Sequence, residues 1–327
     1  MTANDTATME ELRRESRIGQ AGYEVERDIP QIDLSDFKNR RAEITEQLWD
    51  AAVNVGFFQL YNHGIPVAHI DEAFACSQRF FALPHETKEQ YPLKPGQNAG
   101  WECMSQVRPS TGKADRKESY QVTLPRMEGL WPNGDEVRDF REVILRFERQ
   151  SWQLGMRILS CFADKLGFTT DFFTDAHDPL SPEYQSTLRL LHYFAVDGPE
   201  EGEEPVWRAG AHTDFDCLTL LYQRPGEDGL QVCPGMERDS GAWTSIEPTE
   251  GAITCNIGDM LMRWSDDALQ STLHRVRGPA PGEQQDARYS IAFFCQANRD
   301  VSIEGPQGIY EPIRADEYLR QRIKANF

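Results

Sequence analysis

The sequence predicts a mixed α and β chain, with a sandwich or jelly roll as its β part and one long helix beside several shorter ones. Two observations point there. From Thr187 onward, short apolar runs follow one another with Gly- and Pro-bearing turns between them, which favours a sandwich or jelly roll over a parallel α/β sheet. Upstream, apolar residues recur at helical spacing. The longest stripe is Phe140, Ile144, Phe147, Leu154, Ile158 and Phe162 within residues 135–166, suited to packing on the outside of a sheet.

Taken in order, residues 1–27 are polar, carry both charge signs and lack an apolar signal core, so they read as a lead-in with a short helix around residues 9–15. Ile44, Leu48, Ala51, Ala52 and Val55 mark a helix over 40–55, stopped by Gly56 and followed by a buried strand at 57–61. Pro66 suits the first turn of a second helix, to Ala82, because that turn has no use for the missing N–H. His63 and His69 flank its start and read as structural. A short helix is expected at 84–90. Residues 92–117 are rich in Gly, Pro, Ser and Lys and read as a long loop. Trp101, Arg108, Ser119 and Gln121 could reach a ligand from there, but read first as packing or surface residues. Gly167 ends the long helix, and a further short one is expected at 170–177. Strands are expected at 187–194, 218–223, 230–233, 242–246, 252–256, 272–277 and 288–296, with a helical turn at 258–264 and a C-terminal helix at 314–325.

Composition narrows the function classes. A formal charge of -19 excludes a general nucleic-acid binder, since phosphates would be repelled. Hydrophobic content of 39% and charged content of 27% are ordinary for a globular protein, and no apolar stretch approaches the length that spans a bilayer. The 7 cysteines are odd in number and none are spaced Cys-x-x-Cys, so neither a zinc knuckle nor a disulfide frame is expected. Reduced thiols in a cytoplasm follow as the simplest reading, with Cys217 and Cys295 as packing residues.

The chemistry concentrates in Ala211-His212-Thr213-Asp214-Phe215. In extended backbone, positions i and i+2 point to one side, so His212 and Asp214 can grip one cation together while Thr213 points away. His274, in another strand-like segment, is the natural third ligand. Two histidines and a carboxylate on one face of an octahedral metal, with the other face open, form the non-haem Fe(II) arrangement. Arg288 and Ser290 make a second i, i+2 pair, able to clamp a carboxylate.

In this order the motifs resemble the isopenicillin N synthase-like family of iron- and 2-oxoglutarate-dependent oxygenases. The resemblance runs from about Ile29 to about Asn298 and includes Ile29-Pro30-Gln31-Ile32-Asp33-Leu34, Gly56-Phe57-Phe58-Gln59-Leu60 and Asn62-His63-Gly64-Ile65. It implies a double-stranded β-helix (jelly roll) core at 181–300, a helical N-terminal part at 29–180 packed on that core, a lead-in at 1–28, and a C-terminal tail and helix at 301–327. It further implies Fe(II) on His212, Asp214 and His274, with 2-oxoglutarate and O2 on the open positions. The distal carboxylate of 2-oxoglutarate would meet Arg288, Ser290 and Tyr193. Oxidative decarboxylation to succinate and CO2 would then drive hydroxylation, desaturation or ring closure at an unactivated C–H bond of a small molecule.

Two departures from the family stand out. Leu191 occupies a position where many plant members carry an asparagine, and the spacing of 14 between His274 and Arg288 is long. The extra residues, 278–286, have hairpin-loop composition, and surface loops tolerate length cheaply. Phe294 shares the Arg288/Ser290 face and is expected as a pocket wall; His192 faces away and is expected to be structural. The competing readings are an isopenicillin N synthase-type oxidase needing no 2-oxoglutarate, a non-catalytic binding jelly roll, and a zinc hydrolase.

Overall fold

A computed structural model describes residues 22–105, 114–197, 207–235, 240–279 and 284–326. Its strands, in chain order, are β1 (Tyr23–Glu24), β2 (Gln31–Asp33), β3 (Phe57–Tyr61), β4 (Gly100–Cys103), β5 (Lys117–Val122), β6 (Thr187–Tyr193), β7 (Val196–Asp197), β8 (Trp207–His212) and β9 (Leu218–Tyr222). They continue as β10 (Leu230–Val232), β11 (Ala242–Ser245), β12 (Ile253–Ile257), β13 (His274–Arg277), β14 (Gln284–Gln285), β15 (Arg288–Cys295), β16 (Ser302–Ile303) and β17 (Ile313–Arg314). The helices are α1 (Phe37–Asn54), α2 (Val67–Phe81), α3 (His85–Lys88), α4 (Phe140–Leu166), α5 (Phe172–Ala176), α6 (Asp259–Trp264) and α7 (Ala315–Asn326).

Two large sheets make the jelly roll. One has eight strands in the order β2-β3-β12-β9-β15-β6-β5-β4, the other five in the order β1-β11-β10-β13-β8. Strand alternation divides labour between the faces of the eight-stranded sheet. On one face stand Leu188 and Leu190 of β6, Leu218, Leu220 and Tyr222 of β9, and Ile291, Phe293 and Cys295 of β15, in one apolar core with Phe147, Leu154, Ile158 and Phe162 of α4. The other face turns toward the five-stranded sheet and carries Tyr193, Arg288, Ser290 and Phe294, while His212 and His274 stand on the five-stranded sheet itself. A one-residue slip would exchange the two faces, so helix packing itself pins the register of the site.

The long helix lies close against the sheet because position 155 is glycine: a Cβ there would sit 2.5 Å from Cys295 Sγ. Two turns earlier, Glu148 is buried and accepts a 2.7 Å hydrogen bond from Tyr184 Oη. Burial pushes its carboxyl from 4.5 up to about 7, against the smaller opposing effect of the Tyr184 bond. A carboxyl raised on folding stabilises fully below its unfolded value and loses that contribution as pH rises through its folded value. Glu148→Gln should therefore be nearly neutral near pH 4.5 and stabilising above about pH 7, by on the order of 3 kcal/mol for a shift of this size. Thermal unfolding of both proteins across that range is the measurement; parallel curves would refute the linkage.

Several expectations shift. Residues 92–117 are not a continuous loop, because β4 lies within them, paired to β5. The sequence of β5, Lys-Glu-Ser-Tyr-Gln-Val, is too polar to suggest a strand, yet all six residues are buried. Trp207–His212 and Gln31–Asp33 are further strands that sequence reading did not delimit. The long helix begins at Phe140, not at 135. Asn133 Oδ1 accepts from the backbone N–H of Asp135 and Glu136 to form a separate turn, and Asp139 adopts φ 57 between the two. Tyr23–Glu24 pairs in parallel with β11, so the N-terminal stretch reaches the sheet before residue 28. The helix expected around 9–15 and Arg108 lie outside the described residues. Between His274 and Arg288, β14 pairs antiparallel with β7, which extends the hairpin while β15 keeps its pairing with β6 and β9.

Candidate active site

The site starts from strand register. β8 and β13 are antiparallel neighbours in which His212 lies opposite His274, and their ring centroids are 4.3 Å apart. The approach to His274 is anchored by the end of α1. Gly56 adopts φ +80 there, and a Cβ would meet Thr272 Oγ1 at 2.3 Å and the Gln270 carbonyl at 2.4 Å. Thr272 Oγ1 in turn donates to the Val55 carbonyl at 3.0 Å. Phe57 then meets the His274 ring edge-on at 5.5 Å.

Asp214 leaves the end of β8 and points back between the histidines. Its Oδ1 lies 4.0 Å from His212 Nε2 and 3.7 Å from His274 Nε2, and the three donor atoms all fall within 4.8 Å of one another. His212 Nδ1 is 2.7 Å from the Gly210 carbonyl and His274 Nδ1 is 3.2 Å from the Thr272 carbonyl. A carbonyl can only accept, so each Nδ1 carries the proton and each Nε2 presents a lone pair to the centre. The other Asp214 oxygen accepts from Thr219 Oγ1 at 2.6 Å and Asn256 Nδ2 at 2.9 Å, leaving Oδ1 for the same centre. Beneath it, burial foremost and then the Asp214 charge push the Asp216 carboxyl well above its ordinary range. The donor set is thus two imidazoles that donate through Nδ1 and turn Nε2 to the centre, with one oriented carboxylate, a chemistry that fits a divalent first-row cation.

A cavity of about 400 Å³ opens from this centre between the two sheets. Along its wall the eight-stranded sheet presents cross-strand rows: Lys117, Tyr193 and Arg288; then Glu102, Ser119, Leu191 and Ser290; then Gln121, Arg189 and Ala292; then Thr187, Phe294, Thr219 and Asn256. His212, Asp214, His274, Arg288, Ser290, Tyr193 and Phe294 all line this one cavity. Arg288 is buried, its Nε donates to the Glu227 carbonyl at 2.9 Å, and its guanidinium lies 5.1 Å from the Tyr193 ring centre. That leaves its terminal nitrogens without an acceptor among the described residues. Burial, and then Arg288 itself, hold the nearby Arg208 below its ordinary value, as expected where two buried cations lie close together. Lys117, on the same row, is matched by Asp115 at 2.8 Å.

The other candidates fall elsewhere. His192 points to the outer face, stacked on Tyr289 at 4.5 Å and bonded to Glu118 Oε1 at 2.8 Å. Trp101 joins it there, donating to Glu118 Oε2 at 2.8 Å. His63 closes a turn by accepting from the Ile65 N–H and reaching the Gly251 carbonyl. His69 pairs with Gln150. Cys217 and Cys295 are packed in the apolar core, and burial pushes both thiols up. Sequence reading missed Glu102, Lys117, Arg189, Thr219 and Asn256, and ranked Gln121 as packing. The signal that existed was the alternation of Lys117, Ser119 and Gln121, three polar residues on one strand face.

Two family models match the chain, one described as the N-terminal domain of non-haem dioxygenase in morphine synthesis over residues 29–137, the other as the 2OG-Fe(II) oxygenase superfamily over residues 184–297. The chain belongs to the 2-oxoglutarate–Fe(II) oxygenase superfamily. Proline hydroxylase buaE of Petromyces alliaceus is 33% identical, covering 90% of this chain and 94% of its own. Homoarginine-6-hydroxylase of Oryza sativa subsp. japonica is 30% identical over 91% of this chain and 97% of its own. Among solved structures, a full-length Neurospora crassa protein in complex with alpha-KG superimposes with a TM-score of 0.78 at 30% identity, covering 93% of this chain and 100% of that one. The same Neurospora protein has been crystallised with alpha-KG and thymine. This oxygenase is accordingly an oxidoreductase that uses Fe(II), 2-oxoglutarate and O2. No helix of its described residues is long and apolar enough to cross a membrane.

Proposed function

We propose that His212, Asp214 and His274 hold the Fe(II) of this oxygenase, that Arg288, Ser290 and Tyr193 receive the distal carboxylate of 2-oxoglutarate, and that Phe294 walls the pocket of a small-molecule prime substrate. The observation that carries the reading is the convergence of two Nε2 atoms and one Oδ1 within 4.8 Å, each oriented by a hydrogen bond to its other end. Bound iron, with 2-oxoglutarate and O2, supplies the oxidising power. The chain's own residues do the rest. Backbone carbonyls keep the imidazoles in the ligating tautomer, Thr219 and Asn256 hold Asp214 in register, and Arg288 aligns the co-substrate. The apolar walls at Leu191, Leu221, Ala292 and Val276 exclude water.

Relatives named for proline and homoarginine hydroxylation, and a relative crystallised with thymine, support a small polar prime substrate oxidised at an unactivated C–H bond. None of the seven cysteines, all among the described residues, is in a disulfide, which fits a reducing compartment, so we place the enzyme in the cytoplasm. Iron content after anaerobic loading, together with succinate formed per 2-oxoglutarate consumed, tests the reading. About one Fe(II) per chain and stoichiometric succinate are expected. Zinc retention with hydrolase activity and no succinate would overturn it.

A further inference from the structure

Beyond Arg288 and the Lys117–Asp115 pair, the inner face of the eight-stranded sheet carries a further cation, Arg189, and a carboxylate, Glu102, on rows away from Arg288. Arg189 Nη2 donates to Gln121 Oε1 at 2.8 Å, and its guanidinium lies 5.3 Å from the Phe294 ring centre. Gln121 Nε2 donates to Glu102 Oε1 at 2.9 Å, and Ser119 Oγ donates to that same oxygen at 2.8 Å. Ser105 Oγ donates to Glu102 Oε2. The Gln121 amide thereby spaces the two charges apart while fixing both in the cavity wall. Burial alone would raise the Glu102 carboxyl, but Arg189, the two serines and Lys117 outweigh it and hold it below its ordinary range, so it is ionised.

The rigid spacing decides what fits. A neutral ligand would complement neither of these two fixed charges, and a simple anion or cation only one of them. A ligand with a carboxylate and an ammonium side by side complements both and keeps the wall electrically balanced. Phe294, beside Arg189, and Leu93, elsewhere in the lining of the same cavity, offer apolar surface to the remaining carbon skeleton. We propose that the prime substrate is a free α-amino acid, its carboxylate held by Arg189 and its ammonium by Glu102, with Gln121 setting the distance between them. The assignment deepens the proposed function and rests on the same iron-centred cavity.

The test uses the full chain with Fe(II) and 2-oxoglutarate. Free L-α-amino acids, their methyl esters, their N-acetyl derivatives and thymine as a neutral comparator are each scored for stimulated succinate release and for a shift in Tm. At least one free amino acid should stimulate turnover and raise Tm. Its ester and its N-acetyl derivative should each lose at least about tenfold in kcat/KM, the scale of one charge-assisted contact. Arg189→Gln should raise the KM for the free acid but not for the ester, and Glu102→Gln should raise it for the free amine but not for the acetylated form. The KM for 2-oxoglutarate should change less than about twofold in both, because Arg288 is untouched. Arg189→Lys should restore part of the preference, which a merely structural role would not do. Derivatives compared on the wild-type chain give the answer even if a variant folds poorly. Thymine or a blocked derivative acting as well as every free amino acid, or no free amino acid acting at all, overturns the proposal. Should iron fail to bind, the metal assignment fails separately, and the Tm arm still decides between amino acid and neutral ligand.

Discussion

His274→Ala is expected to remove turnover altogether while the chain still folds. The side chain contributes one of three donor atoms, and its Nε2 stands 3.7 Å from Asp214 Oδ1 with a direction fixed through Nδ1. Changes to groups that merely orient a ligand already cost about 10–100-fold in metal affinity, so deleting a ligand should exceed about a hundredfold. The fold should survive because the alanine remains paired through its backbone to His212 and Val232, and the Phe57 ring loses one edge contact. His192→Ala is the matched control: a histidine of the eight-stranded sheet, bonded to Glu118 on the face turned away from the cavity. It should lower Tm and leave the iron stoichiometry unchanged. Both proteins are to be titrated with Fe(II) anaerobically, with near-ultraviolet circular dichroism reporting the fold. Full iron affinity in His274→Ala would show that the third ligand comes from elsewhere.

That triad was legible in the sequence for a specific reason. His212 and Asp214 are uncommon residue types at strand spacing ahead of an apolar run, and the i, i+2 geometry needs no knowledge of partners. The same logic made Arg288 and Ser290 visible. Helices α1, α2 and α4 announced themselves by apolar stripes, because one face of each is buried in the core. The Glu102, Gln121 and Arg189 cluster was not legible, since it exists only through register. Gln121 meets Arg189 and Ser119 meets Glu102 across strand pairs that no single segment encodes. The strands of Glu102 and Gln121, β4 and β5, also lacked the usual signal, because the inner face of β5 is polar and its sequence mimics a loop. Asn256, which steers Asp214, was hidden differently: it sits in the short run Ile-Thr-Cys-Asn-Ile, where nothing marks it as more than a buried polar residue.

Arg288→Lys should raise the apparent KM for 2-oxoglutarate by roughly ten- to a hundredfold, equivalent to about 1.5–3 kcal/mol for a charge-assisted contact partly lost. Lysine keeps the charge but not the planar fork, so it cannot donate to the Glu227 carbonyl through Nε and still offer two terminal groups to one carboxylate. It also forfeits the guanidinium's position over the Tyr193 ring. Arg208, already depressed by burial and by Arg288, supplies positive potential at that end of the cavity but no substitute for bidentate geometry. Iron binding should change little, because Arg288 lies on the row of Lys117 and Tyr193, three rows from Thr219 and Asn256, which orient Asp214. Ser290→Ala should act in the same direction and more weakly, since a neutral hydroxyl contributes less than a guanidinium. Succinate formation against 2-oxoglutarate concentration, with iron saturating, distinguishes the possibilities for wild type and both variants. If Arg288→Lys left the KM for 2-oxoglutarate unchanged and weakened an amino-acid substrate instead, Arg288 would be gripping the substrate carboxylate. The co-substrate carboxylate would then have to be held by another group of the cavity.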